Sequence, residues 1–163
     1  MLWQGLHIRY IRTLLKSAVN EVVDEIKKLQ QENKVNLRNI IVDEDGVGGG
    51  VKDYLRCQGF TNNARALKGE NYQNLKTQCY YKLADQINKG QIGVSCSDVN
   101  IKNYITEELE QVRTKDADKD NKLQIIPKDT VKAILGRSPD YADALAMRMY
   151  YEIDSNFGKY YVQ

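Results

Sequence analysis

Acidic side chains at two places in the sequence have the type and spacing that metal-dependent chemistry needs. Asp43 directly follows residues 40–42, an apolar, β-branched run that predicts a strand covered on both faces. Asp140 and Asp143 are three residues apart and therefore share a face of the helix predicted there. Carboxylates suit Mg²⁺ and Mn²⁺, and two such ions can activate a water and stabilise the leaving oxygen of a phosphodiester. Exposed acids favoured by the helix dipole are the alternative interpretation of Asp140 and Asp143.

Other site chemistries find little support in the residue types. His7 is the only histidine, so a structural zinc site or a serine or cysteine triad has no second histidine to use. The three cysteines, Cys57, Cys79 and Cys96, form no C-x-x-C pair and are odd in number. We therefore expect reduced cysteines and a cytoplasmic protein rather than a disulfide framework.

Two loops resemble known binding loops without matching them. The glycine-rich residues 46–50 follow the strand that precedes Asp43, but Val51 stands where a dinucleotide-binding loop needs its last glycine. A tight turn that needs positive φ is the favoured interpretation, and a nucleotide-binding α/β domain is the weaker alternative. Residues 116–121 resemble the start of a calcium loop, but Asn121 replaces its glycine, so a solvated acidic loop is expected.

The most basic stretch of the chain lies between residues 61 and 100. It contains five basic and three acidic residues, interleaved with tyrosines. The basic residues are Arg65, Lys68, Lys76, Lys82 and Lys89. These side chains either contact a phosphate backbone without reading its sequence or form a solvated helix face, and the sequence leaves both open.

The elements that must position these residues alternate between strands and helices. Period-two alternation predicts a strand at residues 6–11, and three-and-four spacing predicts helices near 19–33, 71–89, 99–112 and 140–153. A short helix at 128–135 ends at Gly136. This order predicts an α/β fold with a mixed central sheet. Ligands in such folds bind beyond the carboxyl ends of strands, which is where Asp43 lies.

Length and charge set the broad class. The chain has 163 residues and a formal net charge of +2, which predicts a single domain and leaves the partner open. No apolar run approaches the roughly 20 residues of a membrane span, so we expect no membrane partner.

Taken together, three motifs resemble the C-terminal nuclease domain of the large subunit of phage terminases, the DNA-packaging enzymes of tailed phages. They are IIVDEDGVGGGVKDYL at 40–55, NYQNLKTQCYYKLA at 71–84 and LGRSPDYADALAM at 135–147, and the resemblance covers about residues 3–152. It implies a ribonuclease-H-like fold, a mixed central sheet flanked by helices, in which acidic residues bind two divalent ions, Mg²⁺ or Mn²⁺, and cleave DNA.

The resemblance also implies roles for particular residues. Asp43 matches the family's acid after a sheet strand, and either Asp140 or Asp143 matches the acid at the start of the last helix. Lys76 and Lys82 would lie beside the DNA path. The implied partners are double-stranded DNA and other terminase or portal components, in the cytoplasm of a bacterial host cell.

The sequence departs from the family pattern in two ways. It has neither the length nor the phosphate-binding loop of the packaging ATPase domain. The family's first catalytic aspartate also lies upstream of the segment that resembles residues 3–10, so the domain is expected to be N-terminally truncated. We therefore expect weak or absent nuclease activity, and a remnant that binds DNA or a packaging partner without cleavage is the alternative function. An exposed sheet edge that pairs two copies is a further expectation.

Overall fold

A computed structural model describes residues 1–15, 17–45, 48–115 and 121–154 and has a mixed α/β architecture. The strands are β1 (Leu2–Gln4), β2 (His7–Tyr10), β3 (Ile41–Asp43), β4 (Gln58–Phe60), β5 (Gly93–Val94), β6 (Thr114–Lys115) and β7 (Gln124–Ile125). The helices are α1 (Val19–Glu32), α2 (Gly48–Leu55), α3 (Leu75–Asn88), α4 (Val99–Gln111), α5 (Lys128–Leu135), α6 (Asp140–Arg148) and α7 (Tyr150–Ile153). The expected mixture of strands and helices is confirmed.

The strands of the described ranges form three small sheets rather than the one central sheet that the sequence predicts. In the first, β2 pairs antiparallel with β1 and parallel with β5. The second is the parallel pair β3 and β4, and the third is the antiparallel pair β6 and β7. All of these strands are two to four residues long, so each makes only a few ladder hydrogen bonds and the helices carry most of the packing.

The unit β3–α2–β4 positions the first acidic segment. Side chains alternate between the faces of a strand, and β3 therefore packs on two sides. Ile41 contacts the main core, whereas Ile40 and Val42 contact a second cluster formed by α1 and α2. This packing on two sides confirms a strand covered on both faces, although the strand spans Ile41–Asp43 and its residues are half-buried.

The main core lies between α3 and α6. Its fully buried members from these two helices are Cys79, Leu83, Ala142 and Leu145, and Met149 joins them at the end of α6. Small residues on α6 alternate with large ones, which allows the two helices to pack closely. This packing fixes the first turn of α6 against the first turns of α3.

Helix ends explain where the structure differs from the predicted helices. The side chain of Asn74 accepts the backbone N–H of Thr77, so α3 begins at residue 75 rather than near 71. Gly136 ends α5 in the left-handed conformation with φ of 69°, as its position predicts. The predicted helix 140–153 is divided at Met149 into α6 and α7.

The glycine-rich run, the acidic loop and the cysteines were also subjects of prediction from the sequence. Gly48 to Gly50 form the first turn of α2 and lack the positive φ expected of a tight turn, and residues 46–47 lie outside the described ranges. Residues 116–120 of the acidic loop also lie outside them. Cys57, Cys79 and Cys96 are free thiols, as expected. Among the described helices, none is long and apolar enough to cross a membrane.

Candidate metal and nuclease site

Asp43 lies at the carboxyl end of β3, beside the end of β4. The two strands run parallel and place Asp43 opposite Phe60. Two residues beyond Phe60, the side-chain amide of Asn62 donates to Asp43 Oδ1 at 3.0 Å and to Asp45 Oδ2 at 2.7 Å. The backbone N–H of Asp45 also donates to Asp43 Oδ1, at 3.1 Å. These bonds fix the carboxylate of Asp43 through one oxygen and leave Oδ2 without a hydrogen bond from any other described residue.

Asp43 is on the side of β3 that faces α6. Residues two apart in a strand share a face, so Asp43 shares the face of Ile41, which packs on the core cluster that contains α6. Helix α6 also packs directly on β3. The predicted acids at the start of α6 are therefore brought to the same side of the protein as Asp43.

Asp143 is a nearly buried carboxylate surrounded by donors. Its Oδ1 accepts from Lys76 Nζ at 2.6 Å and from the Tyr80 hydroxyl at 2.7 Å, and its Oδ2 accepts from Lys128 Nζ at 2.5 Å. The Asp143 side chain is 13% exposed. Lys76 and Tyr80 are four residues apart and thus lie on one face of α3. Asp143 is therefore compensated by two lysine cations.

The electrostatics of the site centre on Asp143 and the cations beside it. Burial raises the pKa of Asp143, but Lys76, Lys128 and Tyr80 together outweigh it, and the pKa lies below the usual carboxyl value. Burial lowers the pKa of Lys128, and its hydrogen bond and charge interaction with Asp143 raise it further than burial lowers it. The charges of Asp140 and Asp43 also raise the pKa of Lys128. Lys128 thus pairs with Asp143, whereas the other two acids act on it through their charges alone.

A chain of contacts ties the two halves of the site together. The backbone carbonyl of Asn62, whose side chain holds Asp43, accepts the backbone N–H of Lys76 at 3.2 Å. The Lys76 side chain then reaches Asp143. The loop after β4 therefore sets the position of the first turn of α3 relative to Asp43, and α3 sets the position of Asp143.

The two lysines predicted to contact DNA are in different places. Lys76 is 16% exposed and is held by Asp143 inside the candidate site. Lys82 is six residues further along α3, approaches Asp85 at 4.0 Å and lines a separate cleft of about 310 Å³ with Lys68, Tyr72 and Tyr81. The structure therefore brings Lys76, but not Lys82, to the acids.

The donor set fits a hard divalent ion only in part. Asp43 and Asp140 offer carboxylate oxygens, and Asp140 is exposed, without a hydrogen bond to any other described residue. No group of three or more potential ligands is close enough to share an ion among the residues that the structure describes. Asp143 would have to give up a lysine before it could become a ligand.

Three residues of the site, Lys128, Tyr80 and Asn62, were not predicted from the sequence. They lie 15, 63 and 19 residues from the carboxylates that they contact. The one local signal is Lys128, because a lysine in the first turn of a helix opposes the helix dipole and is favourable there only with an acidic partner.

Gly48 is the residue of the glycine-rich run that the site requires. A Cβ atom at this position would collide with the carbonyl oxygen of Asp43, whereas a Cβ at Gly49 would lie 3.5 Å from the carbonyl oxygen of Glu44. We expect Gly48→Ala to lower the free energy of unfolding by about 2 kcal/mol through overpacking. Gly49→Ala should be neutral or stabilising by up to about 1 kcal/mol, since alanine favours helix. Urea unfolding checks both, and equal effects of the two substitutions would contradict the close contact.

The fold is that of a known class of domain, the nuclease domain of a terminase large subunit. The chain is similar to the solved nuclease domain of the large terminase subunit of bacterial virus Sf6, with a TM-score of 0.71 and 23% identity over 89% of this chain and 78% of that one. It is also similar to a lysine-to-alanine variant of that domain with manganese, with a TM-score of 0.74 and 22% identity over 89% and 79% of the two chains. The same variant with calcium gives a TM-score of 0.72 at 22% identity.

The structural similarity confirms the resemblance that the three sequence motifs indicate. At this level of identity it establishes the fold. Neither a protein-family model nor a curated protein sequence matches the chain.

Proposed function

We propose that this chain is a metal-dependent DNA endonuclease domain of the terminase type, which cleaves phosphodiester bonds in concatemeric phage DNA. The observation that carries the proposal is that β3, which ends at Asp43, packs against α6, which begins with Asp140 and Asp143, within the fold of a terminase nuclease domain. Acids at a strand end and at a helix start would be unremarkable separately. Their meeting at the same side of this fold favours the nuclease function.

The residues have distinct roles in the proposal. Asp43 and Asp140 would hold Mg²⁺ or Mn²⁺ with their carboxylate oxygens, and Asp143 would join them once Lys128 leaves. A bound divalent ion supplies Lewis-acid stabilisation of charge at the phosphodiester and lowers the pKa of water. Asn62 orients Asp43 through its side-chain amide. Lys76 keeps Asp143 ionised and in place, because it is the less exposed of its two lysine partners.

The alternative function is a catalytically incomplete domain that binds DNA or a packaging partner without cleavage. It is favoured by a specific observation: Lys76 and Lys128 already neutralise Asp143, so the described residues form no ready group of three ligands. In that case the lysines would act as fixed structural cations. DNA binding by the domain would still depend on salt, since phosphate contacts release counterions.

The proposed partners follow from the same function. Double-stranded DNA is the substrate, other terminase or portal components are the proteins with which the domain would assemble, and a bacterial host cell is the setting. Lys82 is proposed as a phosphate contact outside the acidic site. Association of two copies through the outer edge of β1, the terminal strand of its sheet, stays a prediction.

Plasmid nicking tests the function directly. Supercoiled plasmid is incubated with the protein in Mn²⁺ or in Mn²⁺ with excess EDTA, and salt-dependent DNA binding is measured in parallel. Nicking in Mn²⁺ that EDTA abolishes would support the endonuclease. Salt-dependent binding by a folded sample that never nicks would contradict it and support the alternative.

Lys128 provides a prediction about metal affinity. It is 35% exposed, more than Lys76, and it is therefore the lysine that can turn toward solvent when an ion approaches Asp143. We expect Lys128→Ala to bind Mn²⁺ about tenfold more tightly, because a charge-assisted hydrogen bond no longer competes for the carboxylate. Calorimetric titration at neutral pH measures this. Lys132→Ala, an exposed position one turn further along α5, is the control and should leave the affinity unchanged.

A further inference from the structure

The first turn of α6 is capped by a residue from another helix. Pro139 occupies the N-cap position and gives no side-chain hydrogen bond to the helix. Helix N-termini usually satisfy their second or third backbone N–H with the side chain of the N-cap residue itself. Here Glu108, on α4, takes that role: its Oε2 accepts the backbone N–H of Ala142 at 2.8 Å.

The capping carboxylate is fully buried and has a second partner. Glu108 has no exposed surface, and its Oε1 accepts from the guanidinium of Arg137. Arg137 also donates to Glu107 at 3.3 Å and lies 4.3 Å from the centroid of the Tyr104 ring. Each oxygen of Glu108 therefore has a donor, which a buried carboxylate requires. Its negative charge also lies at the positive end of α6, where the helix dipole favours it.

These contacts fix the connection between the two helices that bear the site residues. Arg137 lies in the short turn between α5, which begins with Lys128, and α6, which begins with Asp140. Ala142 lies between Asp140 and Asp143 in sequence. One buried carboxylate on α4 thus contacts both the first turn of α6 and, through Arg137, the turn that joins α6 to α5.

We propose that Glu108 is a positioning residue, which holds the first turn of α6 so that Asp140 and Asp143 face Asp43. It does not contact the reacting groups and acts through the backbone of Ala142. The part of this inference that concerns metal affinity rests on the proposed function. The part that concerns the backbone of α6 does not.

A glutamine at position 108 could keep only one of the two hydrogen bonds that Glu108 accepts. Both oxygens of Glu108 accept hydrogen bonds, from Ala142 and from Arg137. A glutamine has one oxygen and one NH₂ group. Its NH₂ group would therefore face either the N–H of Ala142 or the guanidinium of Arg137, which are themselves donors. Arg137 has Glu107 as a second partner, and the amide oxygen would therefore remain on Ala142. Glu108→Gln keeps the cap but loses its charge, whereas Glu108→Ala loses both.

The experiment compares Glu108→Ala and Glu108→Gln with Glu107→Ala. Glu107 is a matched control because it is the adjacent glutamate, is 55% exposed and contacts Arg137 but not α6. Hydrogen exchange of the α6 amides and Mn²⁺ affinity are measured for each protein. We expect Glu108→Ala to accelerate exchange at Ala142 about tenfold and to weaken Mn²⁺ binding by a similar factor. Glu108→Gln should change both less, and Glu107→Ala should change neither.

The outcomes separate this inference from the proposed function. Unchanged exchange at Ala142 in Glu108→Ala, or equal changes in Glu107→Ala, would overturn the positioning role. Faster exchange with unaltered Mn²⁺ affinity would overturn its link to the site. A wild-type protein that binds no Mn²⁺ would overturn the proposed function, while faster exchange in Glu108→Ala alone would still support the cap. Should Glu108→Ala fail to fold, Glu108→Asp decides, because its shorter side chain keeps the charge but not the reach to Ala142: exchange at Ala142 and Mn²⁺ affinity both equal to those of Glu107→Ala would overturn the role.

Discussion

Replacement of Asp143 by alanine is expected to lower the free energy of unfolding by about 3 kcal/mol. Removing one member of a buried ion pair leaves the other charge uncompensated, which costs about 3–5 kcal/mol. Lys76 and Tyr80 would lose the carboxylate that they share, in a region where Lys76 is only 16% exposed. Lys128 can turn toward solvent, so the lower end of the range applies.

Urea unfolding at neutral pH measures this effect, and Asp140→Ala is its matched control. Asp140 begins the same helix but is exposed, so its replacement removes little more than a favourable interaction with the helix dipole. We expect a loss of about 0.5 kcal/mol for Asp140→Ala. Equal losses for the two variants would show that the lysines around Asp143 contribute nothing to stability.

The same ion pairs predict how stability depends on pH. The pKa of Asp143 is lower in the folded protein than the usual carboxyl value, because Lys76, Lys128 and Tyr80 outweigh the effect of burial. Its stabilising contribution is therefore complete above about pH 4, the unfolded carboxyl value. It is lost as the pH falls from there through the lower folded value. The difference in stability between the wild type and Asp143→Ala should accordingly shrink below pH 4 and stay constant above it.

Replacement of Asp43 by alanine is expected to abolish metal-dependent nicking, with a loss of at least about 100-fold. Loss of one preorganised group that stabilises transition-state charge lowers the reaction rate about 100- to 1,000-fold. Asp43 is such a group in the proposed site, because its neighbours hold Oδ1 and leave Oδ2 available to an ion. The carboxylate is partly exposed and makes no ion pair with another described residue, so the fold should survive its removal.

Asp53→Ala is the control for this prediction. Asp53 is an exposed acid on α2, the helix that follows Asp43 along the chain, and it has the same charge. Plasmid nicking in Mn²⁺ is measured for both variants, together with circular dichroism. Retained nicking in a folded Asp43→Ala protein would exclude Asp43 from the proposed site, as would an equal loss in Asp53→Ala.

The sequence predicted the longer elements and the strand that leads to Asp43, because these have periodic or continuous apolar patterns. It did not predict β1 or β4, since three-residue strands are too short for a period-two pattern to be recognised. The division of the last helix at Met149 was also missed, because the apolar stripe continues unbroken through the boundary. Among the described glycines of residues 46–50, Gly48 is required by its close approach to the backbone of Asp43 rather than by a positive φ.

The sequence singled out the acids of the candidate site and Lys76, but not Lys128. Asp43 stood out because it ends a buried strand, and the acids of α6 because they share a helical face. Lys128 and Glu108 come from α5 and α4, whose positions relative to α6 depend on tertiary packing that no local spacing encodes. In the structure, Asp143 is paired with Lys76 and Lys128, and the described residues form no group of three ligands.

The central claim is that a divalent ion binds between the end of β3 and the start of α6. Titration of the ¹⁵N-labelled protein with Mn²⁺ tests it most directly, because paramagnetic broadening identifies the backbone amides nearest to the ion. We expect early broadening at Asp43 and at residues 140–143, with stronger broadening in Lys128→Ala. Broadening confined to the acidic residues 116–121, or none at saturating Mn²⁺, would contradict it.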